Sequence, residues 1–572
     1  HHPLRKRTIL YESFHGRSAS CNPYAIFLAI VDRPGFEDFT HIFSLNDASL
    51  LPAAHRRRKN VIILRRESPA FREALATAEY LINNTSFPPY FSRRDGQKYL
   101  NTWHGTPFKA LGRDERNDFF PWRNIARNFL HTTHLLSSNP HTTRVLLEQF
   151  QVRDLYRGKI LEIGYPRIDR SLCMGDEERR QIRERFGAGP SDRLVLFAPT
   201  FRGTVGAPTL DLAELERDLN ALLALPIRLV FRGHYFVENA FRSGQFSDLI
   251  APDDLDTNAL LAAADFIISD YSSLVVDALV LKKKLLLYVL DFEAYHSERG
   301  LYFELDELPG EKARTRDELV ATLRGLLEGN LRYDEARDDR IREQLAPHED
   351  GASVERLIPS FFHAEGERSS EASPTNERRP SILFYGGTLF PHGITAALVN
   401  LIERIDPERF DIALLLEPSA LSTPERRARF DALPKHVRLL AFQGPAIAKP
   451  NQRAAFDHLR LERRLESADA AAVIERLFQN EARRTLGDAQ FDYVIDYDGY
   501  SLFFASLLAQ VGHERTRRLI YQHNDMFGEW NTKYPSLPAL FHEYRHYDAI
   551  VSVSRSTRDM NFERLAKRFD LE

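Results

Sequence analysis

Short runs rich in apolar and β-branched residues alternate with longer helical patterns through almost the whole of this chain. That alternation limits the fold more than any other feature. Parallel strands can be joined only by a crossover of a dozen or more residues, usually a helix, so the pattern dictates parallel sheets covered on both faces. The first third reads as strands at 8–12, 41–44, 61–64, 80–83, 100–103, 135–137 and 160–163, with helical stretches at 69–78 and 142–150 between them. A second block runs through strands at 194–198, 228–231, 266–269 and 285–290. It closes on an amphipathic helix at 317–327, with Leu319, Leu323, Leu326 and Leu327 on one face.

Two consecutive Rossmann-like blocks imply a cleft between them, with ligands held at the carboxyl ends of the strands. The whole chain of 572 residues is too long for one core. Residues 363–380 lack apolar periodicity and are rich in Ser, Glu, Arg and Pro, which marks a linker. After it, Ser381-Ile-Leu-Phe-Tyr-Gly-Gly387 opens a third block on the plan of the first, and the chain ends with no counterpart of the second. The expected domains are 1–170, 171–362 and 381–572, with 363–380 as the linker.

Composition excludes several classes. A net charge of -4 argues against a dedicated nucleic-acid binder, and no nucleic-acid partner is expected. Cys21 and Cys173 match no disulfide or metal spacing, which suits a reducing, cytoplasmic setting. No run approaches the roughly 18 apolar residues that span a bilayer. The opening His1-His2-Pro3 reads as a tag remnant on a fragment rather than as a signal peptide. The dinucleotide glycine pattern is missing. No metal and no cofactor is expected.

Four groups sit at predicted strand ends: His104-Gly105-Thr106, Ala198-Pro-Thr-Phe-Arg202, Arg232-Gly-His234, and Ser269-Asp270-Tyr-Ser272-Ser273. Each has an ordinary structural explanation. A loop histidine can be satisfied by backbone, a serine can cap a helix, and an arginine can pair on the surface. Together they favour phosphate handling. Ser272 and Ser273 stand where a helix begins and can hold an anion there; Arg202 offers paired donors to phosphate oxygens. His234 can donate to a phosphate or a leaving group, while Asp270 can orient a base, bind a hydroxyl or hold its turn. His104, on the opposite wall, is placed as a general base toward an acceptor.

These motifs resemble the CDP-glycerol glycerophosphotransferase family, the polymerases and primases of teichoic acid and capsule polymers. The likeness covers about residues 8–345, in order: Glu12-Ser-Phe-His-Gly16 with Asn22-Pro23, Thr102-Trp-His-Gly-Thr-Pro107 with Leu111-Gly112, and Gly164-Tyr-Pro-Arg167 with Asp169. It continues through the three later groups above, then Asp277, Tyr288, Asp291 and Arg299-Gly300. The resemblance implies a GT-B fold, α/β with two Rossmann-like domains facing a cleft: 1–170 on the acceptor side and 171–362 on the CDP-alditol side.

By the same resemblance, His104 deprotonates the hydroxyl at the growing chain end, which attacks the β-phosphate of a CDP-alditol and expels CMP. His234 would share the catalytic role. Arg202, Asp270, Ser272, Ser273, Gly105, Thr106 and Asp277 would bind substrate. Gly233, where bulkier residues are common, keeps CDP-ribitol open beside CDP-glycerol. The partners implied are a CDP-alditol and a lipid-linked or polymer acceptor, met at the inner face of the cell membrane by peripheral contact. The block from Ser381 resembles, through Gly386-Gly387 and His392-Gly393, the acceptor half of a sugar-nucleotide glycosyltransferase. It is expected to fold without being independently catalytic. The alternatives are a GT-B glycosyltransferase or epimerase acting on UDP-sugars, and a non-catalytic polymer-binding scaffold.

Overall fold

The computed structural model describes residues 2–571 except 116–119, 201–202, 205–206, 209–211, 234–237, 239, 242–243, 254, 364–378 and 570. Within them stand three parallel sheets. The first is formed by β1 (Arg5–Glu12), β2 (Thr40–Leu45), β3 (Val61–Arg65), β4 (Ala78–Asn83), β5 (Lys98–Asn101), β6 (His134–Ser137) and β7 (Lys159–Glu162), in the order β3-β2-β1-β4-β5-β6-β7. The second takes β8 (Leu194–Phe197), β11 (Arg228–Phe231), β12 (Phe266–Ser269), β13 (Lys284–Tyr288) and β14 (Glu311–Ala313) in the order β11-β8-β12-β13-β14. A small antiparallel pair, β9 (Gly203–Thr204) and β10 (Ala207–Pro208), lies between β8 and β11 in the chain. The third sheet comprises β15 (Ser381–Tyr385), β16 (Asp411–Leu416), β17 (Arg438–Ala441), β18 (Tyr493–Asp496), β19 (Arg517–Gln522) and β20 (Ala549–Ser552), ordered β17-β16-β15-β18-β19-β20.

The central strands are buried along their length, as in β8, β12 and β16, so they read as continuous apolar runs rather than alternating ones. Helix starts are fixed by local chemistry. Ser68 accepts the Phe71 N–H ahead of Pro69, and Asn139 accepts the Thr142 N–H ahead of Pro140.

One core joins the first two units. Helices Cys21–Ile30, Pro166–Leu172 and Thr257–Ala263 pack in succession, bringing Ile26, Phe27, Ile168 and Leu261 together with Val276. The chain then crosses back: helix Ser353–Ile358 and the turn Pro359–His363 return to the first sheet. There Phe362 packs edge-on against Phe36 at 5.1 Å, and Lys98 Nζ donates to the Phe361 carbonyl at 3.1 Å.

The third unit is docked on the first. Helix Arg123–His131 lies against β17 and helix Ala468–Leu486, and Phe129, Phe150 and Trp103 belong to the same core as the third sheet. Arg127, 2% exposed, donates to the carbonyls of Phe91, Pro88 and Arg484 at 2.6–2.9 Å. His131 Nε2–H reaches the Arg484 carbonyl at 3.0 Å, and Arg484 itself is paired with buried Glu481 at 2.6 Å. No helix among the described residues is long and apolar enough to cross a membrane.

Candidate active site

β5 ends at Asn101, two residues earlier than the sequence pattern suggests, because Asn101 and Trp103 turn the chain sharply. Asn101 Oδ1 accepts the Trp103 N–H at 2.9 Å, and Trp103 adopts φ +49°. His104 is thereby lifted onto the rim of the first sheet, half-buried, with its ring 4.3 Å from that of Trp103 and edge-on to Phe14 at 5.7 Å. Its Nδ1 lies 2.8 Å from the main-chain oxygen of Asn84. A carbonyl only accepts, so Nδ1 carries the proton and Nε2 presents a free lone pair. Burial lowers the His104 pKa to about 4; the Asn84 carbonyl opposes this, while the charges of Arg167 and His15 reinforce it. The imidazole is therefore neutral at pH 7, as a base must be before it acts.

Gly105 brings this rim against the second unit. With φ +142°, it places the position of a missing Cβ 2.5 Å from Ser273 Oγ and 3.3 Å from an Arg167 nitrogen. Only a residue without a side chain permits that approach. Thr106 is buried, and its hydroxyl accepts from Asn139 Nδ2 at 3.0 Å and meets Ser138 Oγ at 3.3 Å.

On the opposite wall, Asp270 ties two strand ends together. Its carboxylate accepts the Thr200 N–H at 2.9 and 3.0 Å and the Tyr271 N–H at 2.7 Å. Helix Leu274–Val280 begins after Ser273, whose side chain makes no capping bond; Ser272 Oγ accepts the Leu274 N–H at 3.3 Å. Asp277 faces Arg167 in a bidentate pair (3.0 and 2.8 Å) and also accepts from Asn258 Nδ2 at 3.0 Å. Both carboxylate oxygens are thus engaged by protein donors. His104, Gly105 and Ser273 converge at one place, with Arg167–Asp277 beside them. Arg202 and His234 lie outside the described residues.

Of the supporting residues, Asn84 belongs to no motif in the sequence, while Glu12 and His15 stand in Glu12-Ser-Phe-His-Gly16. Asn84 is fully buried and serves two loops, its side-chain oxygen accepting the Phe14 N–H at 2.9 Å while its main-chain oxygen holds His104. Glu12, also buried, accepts from Ser44, Arg66 and Asn83; burial raises its pKa to about 7 against the pull of Arg66. His15, at φ +58°, is lowered to about 4 by burial and the nearby Arg66 and Arg17. The Asn83-Asn84 pair closing an apolar run is the visible signal of the Asn84 support.

Against the expectation that the chain holds no His-Glu-x-x-His motif, His542-Glu-Tyr-Arg-His546 has that spacing. Two histidines four apart share a face only on an α-helix. Here the segment is a 3-10 helix, His542 packs edge-on to Phe569, and Glu543 is buried. Among the described residues no group of three His, Cys, Asp or Glu side chains is arranged to hold a metal ion.

Two parallel-sheet units that meet where Gly105 approaches Ser273 have the arrangement of the GT-B fold. The solved wall teichoic acid polymerase TagF has this fold, with a TM-score of 0.54 at 23% identity over 63% of this chain and 89% of that one. Residues 1–363 match the family described as CDP-Glycerol:Poly(glycerophosphate) glycerophosphotransferase, and the chain belongs to it. The teichoic acid poly(glycerol phosphate) polymerase of Bacillus subtilis (strain 168) is 29% identical over 381 residues, 64% of this chain and 50% of that protein. The chain thus spans half the length of that relative. The teichoic acid ribitol-phosphate polymerase TarK of Staphylococcus aureus (strain NCTC 8325 / PS 47) is 25% identical over 306 residues, 50% of this chain and 57% of that protein.

Proposed function

We propose that the chain transfers an alditol phosphate, glycerol phosphate or ribitol phosphate, from a CDP-alditol to a hydroxyl at the end of a growing teichoic acid or capsule polymer. His104 Nε2 takes the proton of that hydroxyl, and the oxygen attacks the β-phosphorus. The new P–O bond forms as the bond from that phosphorus to the bridging oxygen breaks, and CMP leaves with the bridging oxygen. The observation that carries this reading is the neutral, tautomer-fixed imidazole at the point where Gly105 meets Ser273. Ser272, Ser273, Arg202 and His234 would hold the pyrophosphate and offset the charge that grows on it. His234 would also serve the leaving group, Asp270 would brace the turn, and Asp277 would act through Arg167, whose guanidinium it holds beside Gly105.

The acceptor is a lipid-linked chain or a polymer. We place the work in the cytoplasm, at the inner membrane face, through peripheral contact. Both glycerol-phosphate and ribitol-phosphate enzymes are among the relatives, so the donor screen is the direct test. CMP release should occur with CDP-glycerol or CDP-ribitol and a polymer primer, and not with UDP-sugars. His104→Ala should lower it by about 10²–10⁴-fold, the usual range for losing a general base. UDP-sugar turnover without CDP-alditol turnover, or full activity in His104→Ala, would overturn the assignment.

A further inference from the structure

The residues that follow His104-Gly105-Thr106 run straight into the second unit. Residues 107–111 form a strap that pairs antiparallel with 300–303 through a bridge between Lys109 and Leu301. The Tyr302 N–H donates to the Phe108 carbonyl at 2.8 Å, and the Ala110 N–H donates to the Gly300 carbonyl at 3.0 Å. Gly300, at φ +79°, ends helix Phe292–Arg299 and leads directly into the pairing. Tyr302 makes the most of this junction. Its hydroxyl accepts the Leu111 N–H at 3.1 Å and donates to Asp114 Oδ2 at 3.1 Å, and its ring stands edge-on to His141 at 5.4 Å. His141 lies on helix Pro140–Gln149 of the first unit, and its Nε2–H donates to the Pro107 carbonyl at 2.8 Å. One residue of the second unit thus holds the strap at Phe108 and Leu111 and rests on the helix that braces Pro107.

On its own side the junction reaches the Asp270–Ser273 turn. Lys109 Nζ lies 5.9 Å over the ring of Tyr295, which belongs to the helix that Gly300 ends. Tyr295 stacks on Tyr271 at 4.3 Å, and the Tyr271 hydroxyl donates to Asp291, the residue before that helix, at 3.0 Å. Tyr271 itself stands between Asp270 and Ser272. A single contact between two rigid bodies leaves them free to turn about it. The approach of Gly105 to Ser273 is one such contact, and the Lys109–Leu301 bridge, four residues further along, supplies another. Transfer needs base, hydroxyl and phosphorus in line, and a misplacement of about 1 Å costs about 100-fold in rate. We propose that Tyr302 is a positioning residue for the transfer: by clasping the strap that leaves His104, it fixes the base relative to the turn that would hold the donor phosphates. This role rests on the transfer reading given above.

Kinetics of CMP release by the full chain test this, run with a polymer primer and with CDP-glycerol and CDP-ribitol in turn. Tyr302→Phe removes only the hydroxyl that joins Leu111 to Asp114, and Tyr302→Leu takes the ring from His141 as well. Each should lower kcat by about tenfold or more, Tyr302→Leu the further, while the donor KM stays within about twofold of wild type. Hydrogen exchange read by mass spectrometry should quicken at the amides of 106–112 in both variants and stay at the wild-type rate in β5. An unchanged kcat in both variants, a loss confined to donor KM, or strap amides that exchange as in wild type would each overturn the proposal. So would faster exchange throughout the chain, which would assign the loss to folding. A wild-type chain that releases no CMP from either donor would overturn the transfer reading and this role with it; an active wild type with indifferent variants removes the role alone.

Discussion

His104 shows how a backbone contact can replace a carboxylate. In many base-assisted sites an acidic side chain fixes the imidazole and raises its basicity. Here the neutral Asn84 carbonyl fixes the tautomer and leaves the pKa low, near 4, because burial dominates. The consequence is a pH profile with an unusual acid limb. The base works once its proton has left, so kcat/KM should rise as pH passes about 4, rather than near the ordinary 6.5, and stay flat above it. The limb in kcat should lie higher, since the bound pyrophosphate favours the imidazolium. A kcat/KM limb at 6.5 or above would contradict the buried neutral base. The folded-state pKa lies below the unfolded value, so His104 contributes stability that is present above about 6.5 and lost as pH falls toward 4. The histidine is legible from its glycine turn, but the contacts that support it are not. Asn84 is twenty residues away and Arg167 reaches Asp277 across 110, separations that only the folded sheets close.

At the scale of elements, helix starts follow from local chemistry. The strands read from the sequence in the first two units lie within a few residues of the observed ones, while β14 and the helices Cys21–Ile30 and Arg123–His131 are not read from it. The third unit is less legible between its first strand and β19. Runs such as Ala413–Leu416 are apolar throughout, and such a run suits a buried strand and a buried helix equally. What joins elements across the cleft is the Arg167–Asp277 pair, with side chains only 5% and 9% exposed. A buried pair is most informative when broken on one side. Arg167→Met or Asp277→Leu alone should each cost about 3–5 kcal/mol, because the surviving charge is left in a poor solvent. The double variant should recover a large share of that loss, as two matched apolar groups leave nothing uncompensated. Denaturant unfolding of the four proteins measures this directly, and simple additivity would show that the pair is not coupled. Gly105→Ala tests the same contact from the other side. A methyl group 2.5 Å from Ser273 Oγ forces the rims apart, so CMP release should fall steeply while the first sheet, judged by circular dichroism, remains intact.

For the whole molecule, the linker composition at 363–380 suggests a third unit carried on a tether, yet its contacts describe a docked body. The residues that dock it are spread over both units as single arginines and aromatics, which no sequence window groups together. Arg127, His131 and Arg484 join the units through carbonyl bonds, and Phe129 on the same helix packs 6.0 Å from Trp103, whose ring lies over His104. The third unit therefore buttresses the helix that backs His104, although the family match ends at residue 363. Removing everything after residue 363 would expose the face of that helix now covered by β17 and helix Ala468–Leu486, and would strip Arg127 of one of its buried acceptors. The fragment should bind a hydrophobic dye such as ANS, self-associate in sedimentation velocity and melt below the full chain. Its CMP release should drop through kcat rather than KM, since the proposed donor contacts lie in the second unit and the loosened part is the wall behind His104. A monomeric, dye-silent fragment with full kcat would mean that the docking is incidental to the reaction. Restoring activity by adding residues 379–572 as a separate chain would show instead that the interface itself, and not the covalent link, carries the effect.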